Sequence, residues 1–442
     1  MLEPYRRARQ LITLLPAVFL ATLISGCDQS QSERRTLSKD FSLYDAEDSG
    51  VNRGLPLSDY LSADEPIEVA VVWNSTAGVN EFWEGALFAA EEINRLARDR
   101  YPRLKINKYD TAPFLKRFNF DRASQGKFRN ASQLAAAALA DQVLENPKNV
   151  AVVGHAYADD TAANALLSYE QAGILFFSST TTNARISGMR SPLAFELFPS
   201  VDAISERSAK FATDAGIEKV IVIQQRGMYG STSDPIPVFM KHLAQNGIDQ
   251  VEIFSFTSGP ESGTATAARV TEELVTRIQG QTGTVGLFLL VENELAVTIF
   301  QQLAMLKMTP PMLAASRLDS YAEIGADMYP GFTFLDIFAP DRSLMAKRFE
   351  ARFRERFPES KASNYAALGY DHVRFLYQAF LCADSTDPGT VALNIRYHQP
   401  LWHGVTGPFY LRQSYQNVAN GSVILRQFKD VGNRLAIVTL DR

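Results

Sequence analysis

From Ile67 onward, short β-branched runs alternate with stretches of helical spacing. Ile67–Trp73 reads IEVAVVW, a near-continuous apolar run that predicts a strand covered on both faces. Phe82–Leu96 follows, with apolar residues at 82, 86, 89, 90 and 93, the spacing of one helix face. The same alternation predicts strands at Leu104–Tyr109, Asn149–Val153 and Gly173–Ser178, with helices over Ala131–Leu144 and Thr161–Gln171. A second set begins at Val201, with strands at Lys219–Gln224, Val251–Phe256, Thr284–Leu290 and near Met312–Ala315. Apolar strands separated by amphipathic helices form parallel sheets with helices on both faces. Two such sets predict an α/β protein of two doubly wound parallel-sheet lobes. The tail departs from the pattern: Gly407-Pro408-Phe409, VILRQF and RLAIVTL read as antiparallel strands. We expect residues 66–200 with 334–395 to form the first lobe, and 201–333 with 396–442 the second. A chain crossing repeatedly between lobes makes a hinge, and the hinge makes a cleft.

Composition narrows the function. The chain has 442 residues, 46% hydrophobic and 21% charged, which is globular rather than disordered. A net charge of −5 gives no basis for nucleic-acid binding. Two cysteines exclude a disulfide scaffold and a Cys-rich zinc module. There is no phosphate-binding G-x-x-x-x-G-K-[ST] loop, no H-E-x-x-H helix and no G-x-S-x-G elbow. We therefore expect no enzyme, no cofactor and no metal. Of five histidines, His155 lies at a strand end near Asp159 and Asp160, a poor zinc spacing, and reads as framework; His372 reads as helix packing.

The first residues carry a targeting pattern. Arg6, Arg7 and Arg9 precede an apolar stretch from Leu11 to Ile24, too short for the roughly 20 residues of a spanning helix. It ends in Leu23-Ile24-Ser25-Gly26-Cys27, which resembles the bacterial lipobox. That resemblance implies a signal peptide over 1–26 and lipidation of Cys27, and Asp28 resembles an inner-membrane retention signal. Residues 27–65 are polar and read as a flexible tether. The expected location is the periplasmic side of the envelope, lipid-anchored to the inner membrane.

In parallel sheets, ligands bind beyond the carboxyl ends of the strands. After Val153 comes Gly154-His155-Ala156-Tyr157-Ala158-Asp159-Asp160, and after the next strand Ser178-Ser179-Thr180-Thr181-Thr182-Asn183. This run of hydroxyls can hold a carboxylate, although Ser and Thr also cap helices. These stretches, the Gln225–Gly230 segment ending MYG, SNYAALGYDHVRFLYQAF (363–380) and GVTGPFYLR (404–412) resemble type I periplasmic binding proteins. The resemblance is to the leucine/isoleucine/valine-binding branch of ABC-transport receptors. It implies a two-lobed receptor with three crossings that closes on a small ligand and docks on a membrane permease.

Carried over position by position, the resemblance implies ligand contacts from Ala158, Thr180, Thr182 and Tyr229. Ala158 replaces a serine hydroxyl and leaves only a backbone N–H. The acid that pairs with the ligand ammonium aligns near Ser316, with Arg317 and Asp319 beside it and Glu292 after the preceding strand. Glu292 or Asp319 can supply the missing carboxylate, whereas Arg317 suits a second anionic group. The expected function is capture of a small polar solute, an amino acid or a related compound, and its delivery to an ABC permease. The alternative is a sensor or scaffold of the same fold acting on a membrane-bound signalling partner. The segment Thr111–Ser132, where Lys and Arg interleave with Phe, reads as a rim flap, a docking surface or a locally packed excursion.

Overall fold

The computed structural model describes residues 54–75, 80–97, 100–118, 129–155, 159–179, 191–226, 234–258, 263–314, 330–398, 402–409, 423–432 and 434–440. The chain divides into two compact units, 1–198 with 351–420 and 199–350 with 421–442, so it passes between them three times.

The first unit opens with helix α1 (Leu57–Ala63), then β1 (Ile67–Trp73), α2 (Glu81–Ala97), β2 (Leu104–Asp110), α3 (Ala112–Arg117), α4 (Arg129–Leu144), β3 (Asn149–Gly154), α5 (Asp159–Gln171), β4 (Leu175–Ser178) and β5 (Ala194–Glu196). Its five strands are parallel, in the order β2-β1-β3-β4-β5. Every residue of the interior strand β1 is buried, while the edge strand β2 (LKINKYD) is buried only at Leu104 and exposes its two lysines. That contrast is what a covered central strand and a guarded edge require.

The second unit continues with α6 (Val201–Asp214), β6 (Lys219–Gln225), α7 (Ile236–Gln245), β7 (Gln250–Phe256), α8 (Gly263–Gln279), β8 (Val285–Leu290), α9 (Asn293–Met305), β9 (Met312–Ala314), β10 (Thr333–Asp336) and α10 (Leu344–Arg356). The chain returns to the first unit within α10, at Ala351, and continues there as α11 (Asn364–Ala383), α12 (Pro388–His398) and the hairpin β11 (Trp402–Gly404)–β12 (Gly407–Phe409). It finishes in the second unit with β13 (Ile424–Val431) and β14 (Arg434–Thr439). The second sheet has the order β14-β13-β10-β9-β8-β6-β7, parallel from β7 to β10 and antiparallel at β13 and β14. Its parallel part repeats the order of the first sheet. The two doubly wound lobes and the antiparallel tail are as the hydrophobic pattern predicts.

Each unit has its own core. In the first, Ala70, Val72, Val152 and Phe176 of the sheet meet Leu139 and Val143 of α4 and Leu166 and Tyr169 of α5. In the second, Ile221, Ile223, Leu287 and Leu289 meet Val270 and Leu274 of α8 and Leu295 and Ile299 of α9. In the first unit α11 is buried without a break from Ala366 to Phe380. It crosses α2 with backbones nearly touching. A Cβ on Gly85 would lie 2.0 Å from the Ala366 carbonyl oxygen, and one on Gly369 2.1 Å from that of Phe82.

Three boundaries differ from expectation. Residues 334–350 belong to the second unit, because β10 pairs with β9 and β13 and Phe338 packs on Phe349 of α10. Residues 396–420 belong to the first. There Asp371 of α11 accepts the N–H groups of Val405 (2.9 Å) and Thr406 (2.8 Å), and Trp402 Nε1 donates to Gln378 at 2.9 Å. The end of the expected tether is folded as well. Leu57 and Tyr60 of α1 are buried, the Tyr60 hydroxyl lies 3.1 Å from Thr386 Oγ1, the Leu55 N–H donates to Thr386 Oγ1 at 3.2 Å, and the Thr386 N–H donates to the Leu55 carbonyl at 3.0 Å. Seven residues are too few to show helical periodicity. The expected signal peptide, Cys27 and the expected tether up to residue 53 lie outside the described residues.

The segment Thr111–Ser132 is described only at its ends, as α3 and the start of α4, where Phe114 packs against the first core. No helix among the described residues is long and apolar enough to cross a membrane.

The glycine crossing gives a direct test. Gly369→Ala and Gly85→Ala should each cost at least about 2 kcal/mol in chemical denaturation, because backbone cannot move aside for a methyl group. Gly263→Ala, whose Cβ would meet nothing within 4 Å, should be neutral within about 0.5 kcal/mol.

Candidate ligand-binding site

Strand order locates the binding face. In a 2-1-3-4-5 sheet the order reverses between the first and third strands, and a crevice opens beyond their carboxyl ends. In the first unit that point lies between β1 and β3. Gly154 closes it: its φ is +129°, and a Cβ there would sit 2.0 Å from the Val72 carbonyl. His155 follows in the left-handed region at φ 63°, with its N–H donating to Val72 O at 3.1 Å. Its ring is buried, edge-on to Tyr169 and Phe176, with Nε2 2.9 Å from the Tyr169 hydroxyl. Burial pulls its pKa down to about 3, so the imidazole is neutral. This is the framework residue that the sequence indicates.

Neighbouring strand ends are tied to the same point. Asp110, at the end of β2, accepts the N–H (3.0 Å) and the hydroxyl (2.5 Å) of Ser75 beyond β1. The Ser179 N–H beyond β4 donates to Gly154 O at 3.2 Å, and its Oγ lies 2.8 Å from Nδ1 of the buried His372.

In the second unit the corresponding point lies between β6 and β8. The buried Gln225 ends β6, and its Oε1 accepts the Glu292 N–H at 3.0 Å while its Nε2 donates to Ser258 Oγ at 2.9 Å. Because an N–H can only donate, that bond fixes which way the carboxamide faces. One side chain therefore joins the ends of β6 and β8 and the loop after β7. Glu292 is the N-cap residue of α9, exposed, and its side chain does not cap the helix. Its carboxylate sits at the helix end where the peptide dipoles favour negative charge. Farther along, Asp336 and Arg426 form a buried pair at 3.0 Å that closes β10 against β13.

Of the sequence-predicted contacts, Glu292 is described, at the carboxyl end of β8. Ala158, Thr180, Thr182, Tyr229, Ser316 and Arg317, with Asp319, lie outside the described residues. Gln225 opens the segment ending MYG and Ser179 belongs to the hydroxyl run, but the sequence assigns neither of them these bonds between strand ends. A polar residue ending an apolar strand was the available signal for each. Among the described residues no group of three or more His, Cys, Asp or Glu is placed to hold a metal ion.

The family model described as "Periplasmic binding protein" matches residues 130–433. The chain belongs to the periplasmic binding protein family. Solved structures of similar fold include an ABC transporter substrate-binding protein from Desulfitobacterium hafniense, 22% identical with a TM-score of 0.66, covering 85% of this chain and 100% of that one. The branched-chain amino acid transporter substrate-binding protein LivJ from Streptococcus pneumoniae, in complex with isoleucine, is 16% identical, with a TM-score of 0.62 and coverage of 85% and 99%. A solute-binding protein from R. palustris in complex with 4-hydroxybenzoate is 16% identical, with a TM-score of 0.65 and coverage of 85% and 96%. A search of curated proteins gave no match.

In this periplasmic binding protein, three buried groups link stability to pH. Burial lowers His155 to about 3 and His372 to about 4, and raises Asp371 to about 6 against the pull of its three hydrogen bonds from Val405 and Thr406. Below pH 6.5 the unfolded histidines take up protons that the folded ones refuse. Each then costs up to about 1.4 kcal/mol per pH unit as the pH falls towards 4. Asp371 acts oppositely: between about 6 and 3.8 the folded state holds a proton that the unfolded state releases. Denaturation midpoints measured from pH 7 to 4 should therefore fall less steeply in His372→Asn than in the wild type. In Asp371→Asn, already destabilised at pH 7, they should fall more steeply.

Proposed function

We propose that this protein is a lipid-anchored periplasmic receptor that captures a small carboxylate solute and delivers it to an ABC permease. The observation that carries the reading is topological. The candidate segments all follow carboxyl ends of strands at or beside the two points where strand order reverses: Ala158 after β3, Thr180 and Thr182 after β4, Tyr229 after β6, Glu292 after β8, Ser316 and Arg317 after β9. Support for a carboxylate comes from relatives crystallised with isoleucine and with 4-hydroxybenzoate, two ligands that share that group and little else. Helix N-termini and hydroxyls beyond parallel strands suit an anion.

The two ligands differ in whether an ammonium needs a partner. Glu292 is the described acid available for it, and an amino-acid ligand requires such a charge because a buried, unpaired ammonium is costly. Arg317 in the same region would instead favour a second anionic group. Transfer to the permease follows closure, in which the bound state is the one recognised.

A thermal-shift screen of the soluble part against amino acids, aromatic carboxylates and dicarboxylates tests the reading. A native-state ligand at a hundredfold excess over Kd stabilises by about 2.7 kcal/mol. We expect one class to shift the midpoint, and Tyr229→Ala or Thr182→Ala to abolish the shift. For an amino acid, Glu292→Gln should weaken binding by about 10- to 100-fold, the worth of a charge-assisted bond, and should leave an aromatic carboxylate unaffected. No shift across the panel would favour the sensor or scaffold reading.

Cys27→Ser should move the protein from the membrane to the soluble fraction of the cell envelope. Retention in the membrane fraction would remove the lipid anchor.

A further inference from the structure

His372 lies on the buried helix α11, yet both ring nitrogens address strand ends. Nε2 is 3.2 Å from the carbonyl of Leu197, just beyond β5, and Nδ1 is 2.8 Å from Oγ of Ser179, just beyond β4. A carbonyl only accepts, so Nε2 carries the hydrogen. In the neutral ring Nδ1 is then bare and accepts the Ser179 hydroxyl. Ser179 is fully buried and its N–H donates to Gly154 O at the end of β3, while the Leu197 N–H donates to Ser178 O at 3.0 Å. One imidazole thus braces the carboxyl ends of β4 and β5 directly and that of β3 through Ser179. An apolar side chain could fill the same volume, but it would leave a buried hydroxyl and a buried carbonyl each short of a partner.

We propose that His372 is a positioning residue for solute binding: through Ser179 it fixes the strand ends from which the first unit's binding face is built. This rests on the reading above, in which the segment beginning at Thr180 contacts the solute. The residue comes from a part of the chain that follows the parallel strands of the second unit, about 190 positions from the serine it holds.

Two amide substitutions separate the bonds. Asparagine places its terminal atoms near the position of Nδ1 and can still accept from Ser179; glutamine reaches the position of Nε2 and can still donate to Leu197. The readouts on the full chain are amide exchange at Ser179 without solute, and Kd for L-leucine and for 4-hydroxybenzoate. We expect His372→Gln and Ser179→Ala each to speed exchange at position 179 by about tenfold, the double variant to add little, and His372→Asn to stay within about threefold of wild type. Kd for whichever probe binds the wild type should rise in the same order.

Equal effects of the asparagine and glutamine variants, or full additivity of His372→Gln with Ser179→Ala, would overturn the proposal. So would altered exchange with an unchanged Kd. If neither probe binds the wild type, these two carboxylates are excluded as solutes, and exchange at position 179 still decides whether His372 positions the strand ends.

Discussion

The close crossing of α2 and α11, with Gly85 against Ala366 and Gly369 against Phe82, constrains the rest of the first unit. Two helices can bring their backbones this close only where neither carries a Cβ at the crossing, and α2 and α11 each supply one such position. Beside the crossing, Phe82 of α2 stacks nearly parallel on Trp73 of β1 at 4.1 Å, and Tyr365 of α11 meets the Trp73 ring edge-on at 5.4 Å. The crossing also requires α11 to belong to the first unit although it follows the whole parallel sheet of the second. Two of the three passages between units follow from that requirement, and the third from the pairing of β13 with β10. The core of the first unit is complete only once a helix more than 250 residues beyond α2 has docked.

A helix buried on all sides has to satisfy its own polar residues, and α11 does so with directed bonds. The Tyr370 hydroxyl donates to Glu92 of α2 at 2.5 Å, and Arg352 of α10 reaches the same carboxylate at 2.7 Å. Asp371 holds the β11–β12 hairpin, and His372 holds the ends of β4 and β5. Leaving any of these groups unpaired would cost more than each bond contributes in net terms. The polar residues of α11 therefore fix one arrangement of strand ends, helix and hairpin, where an apolar helix would allow several to pack equally well.

The two units reach the same sheet order by different means. At the reversal point of the first, Gly154 and His155 adopt positive φ so that the chain can leave β3 against β1. At that of the second, the side chain of Gln225 spans the gap and takes the first free N–H group of α9's cap. One is a backbone solution and the other a side-chain solution to the same need, a strand end held in place. On this account, the family's common fold leaves room for the chemistry of each binding face to differ.

Hydrophobic periodicity alone determined the parallel strands and most helices, because burial on two faces writes a continuous apolar run such as IEVAVVW and burial on one writes a spacing of three and four. It also indicated that ligand chemistry belongs after the strands, and Glu292 could be picked out there as an acid following β8. Some short elements were not legible: β5 has three residues, β10 four and α1 seven, too few for a period to show. Nor were the unit boundaries at 350 and 420, since what assigns β10 and the β11–β12 hairpin is their pairing with β13 and with Asp371, residues distant in sequence. Tertiary structure also decided the roles of Gln225 and His372. A histidine inside an apolar helix reads as packing until its two nitrogens are seen to meet Ser179 and Leu197, because the direction of a hydrogen bond between distant segments leaves no periodic trace in the chain.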